Sequence, residues 1–189
     1  MKASFVLLFI TATILISCTK DSNQQETLFK ESSLPENSRH SDENSILDPC
    51  LEVDLFAGQF HDAGNVIVNV DNGILTVTYE TEGDWELDAT HLYVGACNAI
   101  PVNRKGNPKI GRFPYKENHP DGTTSVVYSI DVSNLPNCIC IAAHAVVSID
   151  APGTPNQVET AWGDGTTFPG GSWAMYFDFC LDQCTPTNY

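Results

Sequence analysis

The stretch NVIVNVDNGILTVTYET, Asn65 to Thr81, restricts the chain more than any other. Val66, Val68 and Val70 fall at alternate positions, and Leu75, Val77 and Tyr79 do the same on the return. Between them stands Asp71-Asn72-Gly73, the chemistry of a tight turn whose central residues need positive φ. A period of two puts one side of each strand against a core and the other against solvent. The segment predicts a β-hairpin and, with it, an antiparallel sheet.

Further strand-like runs follow. WELDATHLYVG (85–95) places Trp85, Leu87, Ala89 and His91 on one face if it is extended, and TSVVYSIDV (124–132) reads as a further strand. CICIAAHAVVSID (138–150) is apolar on both faces, which predicts a central strand. QVETAW (157–162) and SWAMYFDF (172–179) complete the set, and Trp173, Met175, Phe177 and Phe179 of the last share one side in an alternating reading, as a core strand would have it. Residues 98–123 read as a long Pro/Gly-rich loop carrying Lys105, Lys109, Arg112 and Lys116, a basic patch able to meet an anion. No segment has sustained helical spacing with caps. The expected architecture is all-β: one antiparallel β-sandwich domain over residues 48–189.

The N-terminal residues belong to another category. Lys2 and the apolar run Phe5–Ile16, too short to span a bilayer as an ordinary helix, end in Leu15-Ile16-Ser17-Cys18. This is the lipobox of bacterial lipoproteins. Residues 1–17 are expected to be a lipoprotein signal peptide, and Cys18 to carry the lipid. Residues 18–47, rich in Ser, Asn, Glu and Gln, read as a lipidated, disordered tether. Some thirty such residues reach on the order of 30 Å. Thr19-Lys20-Asp21 partly resembles the surface-export signal of Bacteroidota lipoproteins. Lipid anchoring at the outer membrane or cell surface of the envelope is the expected location.

Charge and cysteines agree with export. The formal charge is −15, and losing Lys2 with the signal makes it −16. That excess argues against nucleic acid as a partner and against a polybasic membrane contact, leaving the lipid on Cys18 as the membrane link. Of seven cysteines, six remain after Cys18: Cys50, Cys97, Cys138, Cys140, Cys180 and Cys184. An even number in an exported chain predicts disulfides, in any of fifteen connectivities. Cys138 and Cys140, two apart on a strand, are too far apart to bond comfortably, so each is expected to pair elsewhere. Zinc is the competing use of these thiols, but no Cys-x-x-Cys pair occurs.

Candidate functional residues fall into two groups. Trp162, Asp164 and Tyr115, with Trp173, are the residues that a glycan site would use: aromatic faces for the ring and a polar group for its hydroxyls. Trp162, just before Gly163-Asp164-Gly165, is the expected surface indole, against Trp173 in the core. His144, on the central strand, calls for a buried partner, and Glu159 is the expected one. The two form a structural pair or, joined by His91, a metal or acid/base site. Asp62, Asp71, Asn72 and Asp121 sit in turns, where local backbone bonding and loop calcium compete. No nucleophile elbow, zinc-protease helix, phosphate loop or dinucleotide motif is present, and no cofactor is expected.

Several of these segments together, the Val-rich hairpin, WELDATHLYVG, GNPKIGRFPY, IAAHAVV and ETAWGDGTTFPGGSWAMYFDF, resemble a domain that recurs in exported bacterial proteins, often of Bacteroidota. The resemblance covers nearly all of residues 60–180. It implies an extracytoplasmic location and a β fold, and no activity. The expected function is a lipid-anchored binding or interaction module of the envelope, for a glycan or another envelope protein. The alternative is an envelope hydrolase or metal-assisted enzyme using His144 and Glu159.

Overall fold

Alternating apolar side chains need a second surface to bury against, and here one sheet supplies it by curling on itself. A computed structural model describes residues 49–149 and 156–184. The expected signal segment, Cys18 and the tether lie outside the described residues. The strands are β1 (Leu51–Ala57), β2 (His61–Asp71), β3 (Ile74–Thr81), β4 (Glu86–Gly95) and β5 (Tyr115–Asn118) in the first half. They continue with β6 (Ser125–Asp131), β7 (Cys138–Ile149), β8 (Gln157–Gly163), β9 (Thr166–Thr167) and β10 (Met175–Cys180). Among the described residues the only helical pieces are short 3₁₀ turns.

Every pairing is antiparallel, in the order β5-β4-β7-β8-β1-β2-β3-β6. β10 adds to the first part of β7, where β8 has not yet begun to pair. The result is a single-domain, barrel-like sandwich, closed except for a seam between its two end strands. At the seam the Leu87 amide donates to the Thr123 carbonyl at 2.7 Å, while the Thr81 amide, donating to the Thr124 carbonyl at 2.9 Å, extends the β3–β6 ladder. Inside the seam, Thr90 Oγ1 lies 2.6 Å from the Tyr128 hydroxyl and 2.8 Å from His119 Nε2. Thr90 has one proton to give, so at least one of these two neighbours donates to it. Tyr79, fully buried, donates its hydroxyl to the His91 carbonyl at 3.3 Å.

The β2–β3 hairpin forms as its residues require. Asn72 and Gly73 have φ of 48° and 80°, the two positive values of the turn that matches strand twist. Val66, Val68, Leu75, Val77 and Tyr79 are fully buried in the main core, with Leu55, Leu92, Ile139 and Ile141. β7 is central, flanked by β4 on one side and by β8 and β10 on the other. It is buried on both faces because a second apolar cluster covers its outer side.

Three expectations are corrected. β4 does not keep Trp85, Leu87, Ala89 and His91 on one face: the register shifts between Leu87 and Ala89. That bulge leaves Trp85 and Leu87 in the main core and turns Ala89 and His91 outward. The stretch 172–179 is a strand only from Met175. Phe177 and Phe179 enter the main core, whereas Trp173 and Met175 pack on the second cluster. The loop of 98–123 contains β5, too short for alternation to reveal.

The disulfides are Cys50–Cys184, Cys97–Cys140 and Cys138–Cys180. Cys138 and Cys140 do pair elsewhere. Cys138 faces Cys180 directly across β7 and β10, and Cys140 reaches out to the start of the loop beyond β4.

Candidate functional site

The outer face of β4, β7 and β8 presents a row set by register. Lys116 on β5 lies opposite His91, His91 opposite His144, His144 opposite Trp162, and Trp162 opposite Phe56 on β1. Directly opposed residues share a face, so these five side chains form one band across five strands. Rings stack edge to face along it: His91 to His144 at 5.2 Å between centroids, His144 to Trp162 at 4.8 Å and Trp162 to Phe168 at 6.2 Å.

Two loops fold over this face. From the chain after β4, Phe113 packs on Tyr93 at 6.0 Å, and from the chain before β10, Phe168 meets Tyr176 at 4.9 Å. Tyr93, Ile100, Phe113, Ala142, Trp162, Phe168 and Ala174 make the second buried cluster. The loops also touch each other. Asn107 Oδ1 accepts from the Ser172 amide at 3.2 Å. A Cβ on Gly106 would stand 2.9 Å from Pro169 Cγ, and one on Gly170 would collide with Asn107. Glycine at both places lets the two backbones meet.

Between these loops and the sheet lies a cavity of about 300 Å³. His144, Thr160 and Trp162 lie on its sheet side, and Asn107, Pro108, Ile110, Ser172, Trp173 and Ala174 on its loop side. Trp162 is only 5% exposed, so it is a buried floor and not the surface indole expected. Trp173, expected in the core, is the half-buried one, at the wall.

His144 is 2% exposed and its Nδ1 lies 3.3 Å from that of His91. Burial, then the neighbouring His91, drives its pKa down to about 3. Burial and the Lys116 ammonium lower that of His91 as well. Both rings are neutral at pH 7, each with one N–H and one lone pair.

The other expected residues lie apart. Glu159 is not the partner of His144. It pairs with Val147 and alternates with Ala161, both facing the main core, so it leaves the opposite side of the sheet and lies against Gly58. Asp164 is exposed beyond the end of β8, its carboxylate accepting from the Gly165 amide at 2.8 Å. Tyr115 points inward, packing on Tyr128 at 5.9 Å. Neither lines the Trp162 cavity. Asp62 and Asp71 bond locally, to the Gly64 amide and the Asn72 side chain. Asp121 lines an acidic hollow of about 400 Å³ with Glu86 and Asp88. There Glu86 already accepts from the Gly122 amide and Asp88 from the Ser148 hydroxyl.

Asp178 Oδ1 lies 3.0 Å from Cys140 Sγ and near Cys97, a triad with metal-ligand spacing. Both sulfurs are in one disulfide, so neither is a thiolate able to bind an ion. Asn107, Thr160 and Ser172 escaped sequence reading. Their available signal was the adjoining glycine-rich turns, where backbones approach closely.

Fold and site together define a barrel-like β domain with an aromatic, loop-walled cavity on one outer face. Comparison with known proteins finds no matching family model, no matching curated protein and no matching solved structure.

Proposed function

We propose that this chain is a binding module of the bacterial cell envelope, held to the membrane by lipid on Cys18, and that its ligand is a glycan seated in the loop-walled cavity. One observation carries the reading: the same cavity collects two indoles, Trp162 and Trp173, with the amide of Asn107 and the hydroxyls of Thr160 and Ser172. A sugar presents an apolar C–H face and a rim of hydroxyls, and this lining offers an aromatic surface for one and neutral hydrogen-bonding groups for the other. A volume of about 300 Å³ is at the small end for ligand sites, suited to one ring of a longer chain. The tether and the lipobox support the envelope location, since a flexible coil of about thirty residues lets an anchored domain reach its surroundings.

The hydrolase reading gains nothing from the geometry. His144 and Glu159 leave opposite faces of the sheet, and among the described residues the cavity lining has no carboxylate to act as acid, base or nucleophile.

A glycan array probed with the purified chain, followed by calorimetry on the best binder, tests the proposal. Trp173→Ala is expected to weaken binding at least tenfold while costing only about 1 kcal/mol of stability. No retained glycan, or equal binding by Trp173→Ala, overturns it.

A further inference from the structure

His91 and His144 form a constellation that glycan binding leaves unused. Strand register places them directly opposite each other, and both turn the same ring atom inward: Nδ1 faces Nδ1 at 3.3 Å. We propose that this pair holds a divalent transition-metal ion of the zinc–copper class, bound through the two Nδ1 atoms. The reading does not rest on the glycan proposal, although His144 also lines that cavity.

The distance carries the argument. Two imidazole nitrogens each about 2.0–2.1 Å from a tetrahedral ion stand about 3.3–3.4 Å apart. The observed pair has that separation without any rearrangement. As a hydrogen bond the same contact is long, since N–H donors prefer about 2.9–3.0 Å. Strand register fixes where both side chains start, and the His144 ring is held further by its edge contact with Trp162 at 4.8 Å. Imidazole donors select zinc, copper or nickel over calcium or magnesium.

Access comes through His91. It is half-buried and opens on a hollow of about 310 Å³ lined by Lys116, Glu117 and Asn118. Glu117 and Asn118 put oxygen donors beside the entry. Lys116 is the opposing charge, and its ammonium donates to the Gly111 carbonyl at 2.9 Å. Two protein ligands leave two coordination positions for water or an added donor, the open arrangement of a reactive or exchangeable site and not of a closed structural one.

Calorimetric titration of the full chain, stripped with chelator and with its disulfides intact, tests the site using Zn²⁺ and Cu²⁺ alone. One saturable equivalent is expected, weakened at least tenfold by His91→Ala and by His144→Gln. His91 is partly exposed, so His91→Ala keeps a folded protein for comparison even where His144→Gln does not. Asp178→Asn is expected to bind like wild type. The proposal is overturned by an absence of saturable binding, by His91→Ala binding within twofold of wild type, or by loss of the ion in Asp178→Asn.

Discussion

His91 and His144 stand Nδ1 to Nδ1 at 3.3 Å, and burial is the foremost cause that lowers the pKa of each. A histidine in the unfolded chain titrates near 6.5, while folded His144 does so at about 3. Between those values the unfolded state binds the extra proton, so stability is complete above pH 6.5 and falls as the pH drops toward 3. His91 shifts in the same direction and adds to the slope. Urea unfolding in chelator at pH 7, 5 and 4 checks this. His144→Gln is expected to flatten the wild-type decline, and parallel curves would refute it.

The two indoles of the cavity should separate stability from binding. Trp162 is buried among Phe168, His144 and the second cluster, so Trp162→Ala is expected to cost about 3–5 kcal/mol in denaturant unfolding. Trp173, half-buried at the wall, should cost about 1 kcal/mol while losing most ligand affinity. Equal destabilisation by the two would contradict this division.

Gly106 has φ of +89° and no room for a Cβ against Pro169. Gly106→Ala is expected to lose about 1–3 kcal/mol through the strained backbone. Because the strain falls where the two loops touch, it should also raise amide exchange at Ser172 before exchange in β7. Exchange rates by NMR decide it.

Thr90 is fully buried and its hydroxyl links Tyr128 and His119. Thr90→Val keeps the shape and removes the link. A loss of about 1–3 kcal/mol is expected, with faster exchange at the seam amide of Leu87. A variant as stable as wild type would mean that the seam does not depend on it.

The hairpin was legible because its pattern and its turn are both local: Val66, Val68, Leu75 and Val77 alternate around Asn72-Gly73. β7 was legible as central from its two-sided apolarity. Parity misled where a single residue was inserted. The bulge beside Asp88 reverses the facing of His91 relative to Leu87, and no local composition announces it. The site was harder still. Trp162 and Glu159 stand three apart, so strand parity alone separates them, but only register with β7 shows which of them meets His144. The cavity wall depends on loops coming together at Asn107 and Ser172, 65 residues apart in sequence, a long-range fact that short-range patterns do not carry.

Cys50 and Cys184 join the two ends of the described fold, 134 residues apart in sequence. Consider tension applied along the chain from before Cys50 to beyond Cys184. The load passes through that one covalent link and bypasses every strand between. β1 cannot be peeled from β2 and β8 by such a pull, because the force never reaches the hydrogen bonds that hold it. The domain is mechanically in parallel with its own staple, and stretching its ends leaves the cavity undeformed until the disulfide is reduced.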